Sequence, residues 1–344
     1  MGCSGFDLDS LNPTCVRRIK LDFYLPRSSR VVVTGAFGFI GSHVTGALLE
    51  AGVDVVAVDI RPPSRDVLGR YGPRAGTGRL STVLADVSDS LLDDVLGTVD
   101  AVIHLAGIAG VRQSWGAMFE RYLKVNVLGA QRILEASMKN GVSRLIVASS
   151  SSVYGAPEAL PTIEDSTLRP LSPYGVSKLA AEALCETYVR AYGGETQVVL
   201  LRYFTVYGPR QRGDMFIARL MNAAVTGNPV LVNGSGRGRR DFTYVDDVVA
   251  ATLQALRGEG LTKPVEIVNV GTGINVTLSA VISMVEEIAG RAIQVKHAPT
   301  RIDEPMETRA DIRRAERFLG YRPGTSLEVG LSNQFDVFLR DCAD

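Results

Sequence analysis

Tyr174 and Lys178 stand four residues apart in "SPYGVSK". Past Pro173 the segment "YGVSKLAAEALCETYVRAY" keeps a helical period, so the two side chains share one helix face. A free phenol has a pKa of about 10 and is a poor base at neutral pH. A neighbouring ammonium stabilises the phenolate and lowers that value. The pair therefore has the parts of a proton acceptor for a substrate hydroxyl. Taken alone, Tyr-x-x-x-Lys is also what an ordinary surface pair looks like.

A second stretch weights the choice. "VVVTGAFGFIGSHV" runs from an apolar strand through Gly35, Gly38 and Gly41 into a helix. The first glycine permits a tight turn, the second lets backbone approach a diphosphate, and the third lets the helix pack close to the sheet. The helix start then offers free N–H groups and a positive dipole end to phosphate. Asp59 ends the next strand, 18 residues after Gly41. A carboxylate there accepts the ribose hydroxyls of adenosine and repels a 2′-phosphate, which favours NAD over NADP. Arg61 argues the other way, but reads more simply as solvent-facing. Asp86 closes the third strand and reads equally as an adenine contact or a helix N-cap. Beside NAD, Tyr174 takes the hydroxyl proton as hydride leaves the carbon, and the positive nicotinamide ring adds to the ammonium's effect on the phenol.

These residues need a scaffold, and the hydrophobic pattern supplies one. Strands are expected at 30–35, 54–59, 80–87, 100–107, 144–151 and 197–204, with helical patterns between them, such as 42–52. Near-continuous Val/Ile/Leu strands alternating with helices imply a parallel sheet covered on both faces, here an α/β doubly wound Rossmann sheet. After about Phe204, loops rich in glycine, proline and arginine take over, with helical patterns at 278–289 and 310–319 and a strand at 265–271 that returns to the main sheet. The expected division is a tail over 1–29, a dinucleotide-binding domain over 30–204 plus about 243–271, and a smaller interleaved α/β substrate lobe over about 205–242 plus 272–344.

Composition excludes several classes. With 37 basic and 37 acidic residues the chain has no net charge to draw it to nucleic acid or membrane. The arginine-rich "NGSGRGRRDF" lacks the interleaved aromatics of an RNA-binding patch. Cys3, Cys15, Cys185 and Cys342, with His43, His104 and His297, form no metal-ligand spacing, so no metal is expected. No apolar run approaches membrane-spanning length, the start lacks the apolar core of a signal peptide, and the cysteine usage fits a reducing compartment. A cytoplasmic protein is expected.

Read together, "TGAFGFIGSHV", "VAVD", "ADV", "HLAG", "VNVLG", "SSSVYG", "SPYGVSK", "FTVYGPRQRGD", "GRRDFTYVDDVV", "NVGTG" and "ADIRRAERFLGYRP" resemble the extended short-chain dehydrogenase/reductase family, in its nucleotide-sugar epimerase branch. The resemblance covers about 30–330. It implies a catalytic set of Ser150, Tyr174 and Lys178. It implies NAD contacts from Gly35, Gly38, Phe39, Ile40, Gly41, Asp59, Asp86, Val87, Ala106, Tyr174 and Lys178.

The serine run then acquires meaning. Sugar 4,6-dehydratases of this family carry Thr-Asp-Glu where this chain has Ser150, Ser151 and Ser152, and decarboxylating relatives place glutamate at the third position. Serine cannot do that acid/base work at neutral pH. What remains is oxidation at C4 of the sugar, rotation of the keto sugar, and return of hydride to its other face. "LRYFTVYGPRQRGDM" looks most like the UDP-glucuronate 4-epimerases, in which Thr205 and Arg212 match residues that hold the C6 carboxylate, with Ser151 and Ser152 as further donors. UDP-galactose-type 4-epimerases and UDP-glucuronate decarboxylases are the alternatives. By the same likeness Arg240 and Arg301 anchor the nucleotide diphosphate region, and Glu304 stands where relatives carry a ribose-binding aspartate. Arg112 in "AGVRQS" reads as a cleft residue or a structural salt bridge. The likeness also implies a homodimer through helices near 118–139 and 175–192, although packing within the chain explains their apolar faces almost as well.

Overall fold

The computed structural model describes residues 29–71, 78–89, 95–97, 99–258 and 260–343. The expected tail, with Cys3 and Cys15, lies outside the described residues up to position 28. The apolar runs form β1 (Arg30–Thr34), β2 (Asp54–Asp59), β3 (Leu80–Leu84), β4 (Ala101–His104), β5 (Arg144–Ser150), β6 (Gln197–Tyr203) and β11 (Val265–Val270), all parallel, in the order β11-β6-β5-β4-β1-β2-β3.

The period of two explains why both faces are covered. Val31 and Val33 point to one hydrophobic cluster, Val32 to the other; Ile146 joins the first, Leu145 and Val147 the second. The first cluster takes Val44, Leu48 and Leu49 of α1 (Phe39–Glu50), and also Val245, Val248 and Leu253 of a helix spanning Val245–Arg257. The second takes Ile133 and Leu134 of Gly129–Lys139, and Cys185 and Val189 of Pro173–Tyr192. Strand order reverses between β1 and β4, so a crevice opens at their C-terminal ends, where the glycine loop sits.

Between these main helices lie α2 (Arg65–Arg70), α3 (Phe119–Tyr122) and a six-residue π-helical stretch, Leu123–Leu128. The two helices on the second cluster are then α4 (Gly129–Lys139) and α5 (Pro173–Tyr192). α5 starts where proline ends the extended chain, with Ser172 accepting from the Gly175 N–H as N-cap. The later helices are α6 (Phe216–Thr226), α7 (Val245–Arg257), α8 (Leu278–Ala289), α9 (Arg313–Leu319) and α10 (Leu327–Ala343).

The remaining strands are short pairs: β7 (Thr205–Tyr207) with β10 (Phe242–Tyr244), β8 (Val230–Asn233) with β13 (Val295–Ala298), and β9 (Arg239–Arg240) with β12 (Val276–Thr277). Several expected boundaries shift, among them those of a strand and a helix. The strand expected over 80–87 ends at Leu84. The helix expected from 310 begins at Arg313, because the Ala310 N–H is spent on Asp241 Oδ2 at 3.0 Å and Asp311 Oδ1 accepts the Arg313 N–H at 3.0 Å.

Candidate active site

The glycine loop is shaped by backbone contact. Gly35 has φ +65°, and a Cβ there would lie 2.8 Å from Ala106 Cα. A Cβ on Gly41 would overlap the Gly35 carbonyl oxygen. At Gly38 the chain's own constraint is milder, 3.2 Å to that same oxygen, so packing alone does not demand a glycine there. Gly38 is extended and α1 begins at Phe39, three residues earlier than the apolar pattern indicates, so Ile40 and Gly41 lie in its first turn. The first N–H groups of a helix have no intrahelical acceptor.

Asp59 at the end of β2 accepts from the Phe37 N–H at 3.0 Å and the Arg61 N–H at 3.2 Å, which fixes its carboxylate against the loop, and the Arg61 residue is exposed. The Ala106 N–H reaches Thr34 Oγ1 at 3.2 Å. A Rossmann cradle of this kind, with an acid at the second strand, fits NAD.

Two cofactor expectations change in detail. Asp86 turns onto Ser88, accepting from its N–H at 2.9 Å and its hydroxyl at 2.7 Å, with Lys124 at 3.9 Å. Burial pushes this carboxyl up, but the Ser88 bonds and the two cations Lys124 and Arg132 outweigh it and hold it below its usual value. The Val87 side chain is buried in the core against Gly129, so only its backbone is left for a ligand.

At its C-terminal end, β5 delivers the serine run to α5. Ser150 caps the short turn that follows, accepting from the Ser152 N–H and donating to Ser152 Oγ, both at 3.1 Å, and its hydroxyl lies within electrostatic reach of the Tyr174 phenol. Lys178 Nζ donates to the Ala148 carbonyl at 2.8 Å. Ser151 and Ser152 are half-buried beside them. Tyr122 packs edge-on to Tyr174, ring centroids 6.3 Å apart.

The charges differ from expectation. Burial pushes the Tyr174 phenol above its ordinary value; the Ser150 hydroxyl and the Arg212 charge pull it down, and Tyr122 pushes it up. Burial also lowers the Lys178 ammonium to about 8, with Glu182 acting in the opposite direction. The Arg212 guanidinium is thus a further cation acting on the phenol, one that the Tyr-x-x-x-Lys spacing does not reveal. The protein alone does not lower the phenol, since desolvation wins; the positive charge of an oxidised nicotinamide has still to be added.

Arg212 has an acid partner within the chain. It forks onto Asp214, at 2.9 and 2.8 Å, and donates to the Ala109 carbonyl at 2.8 Å. Gln113 donates to Asp214 as well, at 3.3 Å. Asp214 is therefore an acid next to the site that sequence reasoning missed, although it stands inside the "RGD" that carries Arg212.

The other end is a cleft lined by Arg112, Thr205, Phe216, Asn233, Arg240 and Glu304. Both readings of Arg112 hold, since it lines the cleft and pairs with Glu304 at 3.0 Å. Glu304 also reaches Arg240 at 3.9 Å and accepts from Asn233 at 3.3 Å. Burial lowers the Arg240 guanidinium despite Glu304, so this cation is desolvated without a full counter-charge. Arg301 lines an adjoining hollow with Arg240 and Glu304, and is itself paired with Asp303 at 2.6 Å, an acid the sequence reading passed over.

Asn126 was also missed as a site residue, though "VNVLG" contains it. It sits in the π-helical stretch, fully engaged: it accepts from the Ile108 N–H at 2.8 Å and donates to the Ile108 carbonyl and Ser177 Oγ, both at 3.0 Å. It ties the loop after β4 to α5, and with Lys178 Nζ it closes around Gly107.

A Rossmann cradle facing a Ser-Tyr-Lys set defines a nicotinamide-dependent oxidoreductase-like site. The chain belongs to the NAD dependent epimerase/dehydratase family, whose pattern matches residues 31–271. It is similar to MoeE5, solved in complex with UDP-glucuronic acid and NAD: 42% identity, TM-score 0.84, covering 91% of this chain and 100% of that one. The uncharacterized UDP-glucose epimerase YtcB of Bacillus subtilis is 38% identical over 309 residues, 89% of this chain and 96% of that protein. The UDP-glucuronate 4-epimerase of Thermodesulfobacterium geofontis is 35% identical over 308 residues, 87% of this chain and 93% of that protein.

Proposed function

We propose that this NAD-dependent nucleotide-sugar epimerase interconverts UDP-glucuronate and UDP-galacturonate by inversion at C4, without loss of CO2. Bound NAD supplies the hydride acceptor and donor. Ser150 holds the sugar's 4-oxygen against the Tyr174 hydroxyl, and Tyr174 takes the 4-hydroxyl proton and later returns it. Lys178 and Arg212 supply the positive charge that makes the phenolate accessible. Arg240, Arg112 and Arg301 keep the diphosphate end anchored, with Glu304 beside the ribose, so that the oxidised sugar can rotate without leaving. Gly35 through Gly41, Asp59 and Ala106 hold the cofactor.

The observation that carries the uronate reading is the placing of the Arg212 guanidinium against Ala109 and Gly110, by the Tyr122 ring that packs edge-on to Tyr174, in a corner whose positions 150–152 are all hydroxyls. Oxidising C4 of a glucuronic acid gives a β-keto acid, which loses CO2 when its C5–carboxylate bond stands perpendicular to the ketone. Thr205, Ser151, Ser152 and Arg212 hold the carboxylate away from that orientation by charge-assisted bonds. The MoeE5 complex with UDP-glucuronic acid and the naming of the Thermodesulfobacterium relative support the same choice.

One observation favours a second reading, UDP-glucose to UDP-galactose. Arg212 already has Asp214 as counter-ion, so a neutral C6 hydroxymethyl leaves no unpaired cation, and MoeE5 also has a structure with UDP-glucose. NMR of the products from UDP-glucuronate and UDP-glucose, run side by side, separates the two. UDP-galacturonate is expected as the main product, and exclusive turnover of the neutral sugar contradicts the proposal. Arg212→Ala is expected to raise CO2 released per turnover by about tenfold, the worth of one charge-assisted bond. Unchanged CO2 release and an unchanged sugar preference would remove Arg212 from the carboxylate site.

The enzyme works as a homodimer in the cytoplasm. Leu123, Leu128 and Val176 are exposed along the π-helical stretch and α5, where a second copy covers them. Among the described residues no helix is long and apolar enough to cross a membrane.

A further inference from the structure

Three side chains on one face of α5, each four residues from the next, meet three consecutive residues at the end of β5. The Tyr174 phenol lies within electrostatic reach of the Ser150 hydroxyl, Lys178 Nζ meets the Ala148 carbonyl at 2.8 Å, and Glu182 accepts from Ser149 Oγ. The first two contacts belong to the proton-transfer set; the third has no part in it so far.

Glu182 is 3% exposed and Arg202 of β6 is 1% exposed. The guanidinium forks onto the carboxylate at 2.7 and 3.0 Å. Arg202 is fixed in turn by the Tyr154 hydroxyl and the Glu164 carbonyl, both at 2.8 Å, and lies 4.8 Å from the Tyr154 ring centroid. Tyr154 donates to Asn269 Oδ1 at 2.7 Å. A buried ion pair is a poor source of stability, since well-packed apolar residues usually do as well. Its rigidity is better used to fix a strand end.

We infer that Glu182 is a positioning residue for the proton transfer, acting through Ser149 on the strand end that carries Ser150 and the acceptor of Lys178. Through space its charge also keeps the Lys178 ammonium protonated. The groups around Lys178 are Tyr174 and Glu182 on its own helix, His104 on β4 and the Ala148 carbonyl on β5, with Asn126 across Gly107 and Arg202 behind Glu182. Tyr122 and Arg212 act on Tyr174. His104 is held neutral, its pKa lowered to about 3 by burial and by Lys178, so Glu182 is the anion that offsets the burial of Lys178.

The inference rests on the reading of Tyr174 and Lys178 as the proton-transfer pair, and the test separates the two. Ser149→Ala cuts the link and leaves the ion pair in place. Glu182→Leu/Arg202→Met removes both charges together, so no buried ion is left unpaired. In the NAD-loaded enzyme with UDP-glucuronate, Ser149→Ala is expected to lower kcat about tenfold with KM within about twofold, as for a small misplacement of reacting groups. In the ligand-free double variant, NMR of isotope-labelled lysine is expected to show the Lys178 midpoint lower by about half a pH unit or more, with the alkaline limb of kcat/KM moving down alongside. Either variant leaving its readout at the wild-type value overturns the inference; if the double variant does not fold, a wild-type kcat in Ser149→Ala does so alone. Tyr174→Phe in the same assay tests the underlying reading: full activity there sinks that reading, whereas an inactive Tyr174→Phe beside an unaffected Ser149→Ala sinks only the role of Glu182.

Discussion

Replacing Tyr174 with phenylalanine is expected to lower kcat for 4-epimerisation by about three orders of magnitude, the middle of the range for a lost general acid/base. The ring itself stays, so the edge-on contact with Tyr122 at 6.3 Å survives and the fold is not disturbed. Only the hydroxyl goes, and the Ser150 bonds to Ser152 remain. KM for the nucleotide sugar is expected to change little, because the anchoring arginines lie at the other end of the cleft. Steady-state kinetics over a pH range check this. A variant keeping more than about a tenth of wild-type kcat would remove the phenol from the proton path.

The second large effect is expected at Gly41. An alanine Cβ there overlaps the Gly35 carbonyl oxygen, which is backbone and cannot swing aside. Gly35 is itself pinned, donating its N–H to the Val58 carbonyl at 2.8 Å and standing against Ala106. Relief therefore requires α1 to move away from β1. The expected cost is about 3 kcal/mol, lowering Tm by about 5 °C or more. NAD affinity is expected to fall at least about tenfold, since the loop and the helix start hold the diphosphate together. Calorimetry and fluorescence titration with NAD read the two effects. Wild-type values in both would mean that the helix does not pack against the loop as described.

The main sheet was legible because each strand is a run of β-branched residues buried on both faces, a signal that does not depend on partners. Even β11 was readable, since "VEIVNVG" carries the same pattern. The smaller strands were not. β9 and β12 have two residues each, too short for any period, and their pairing depends on loops far apart in sequence. α6, α7 and α10 went unnamed although α6 and α7 are amphipathic; the glycine, proline and arginine around them drew attention to loops instead.

In the site, residue types and spacing reached Tyr174 and Lys178, and the family likeness reached Ser150 and the arginines. Neither could reach what neutralises those arginines. Arg212 with Asp214 and Arg301 with Asp303 are pairs two residues apart, so their acids were in view. A sequence cannot tell a fork that closes within the chain from one that waits for a ligand. Glu182 with Arg202 is a pairing made between helix and strand and has no local signature. The balance at Tyr174 is hidden from the sequence for a similar reason. Spacing reveals the ammonium, but desolvation is a property of the packed interior.

The central claim is that the hydrogen at C4 leaves and returns within the active site while the neighbouring carboxylate survives. UDP-glucuronate carrying deuterium at C4, turned over in ordinary water and followed by NMR, tests it most directly. The account predicts UDP-galacturonate with the deuterium still on C4 and no CO2 released. Loss of that deuterium to water as fast as product forms, or a UDP-pentose as the main product, would contradict it.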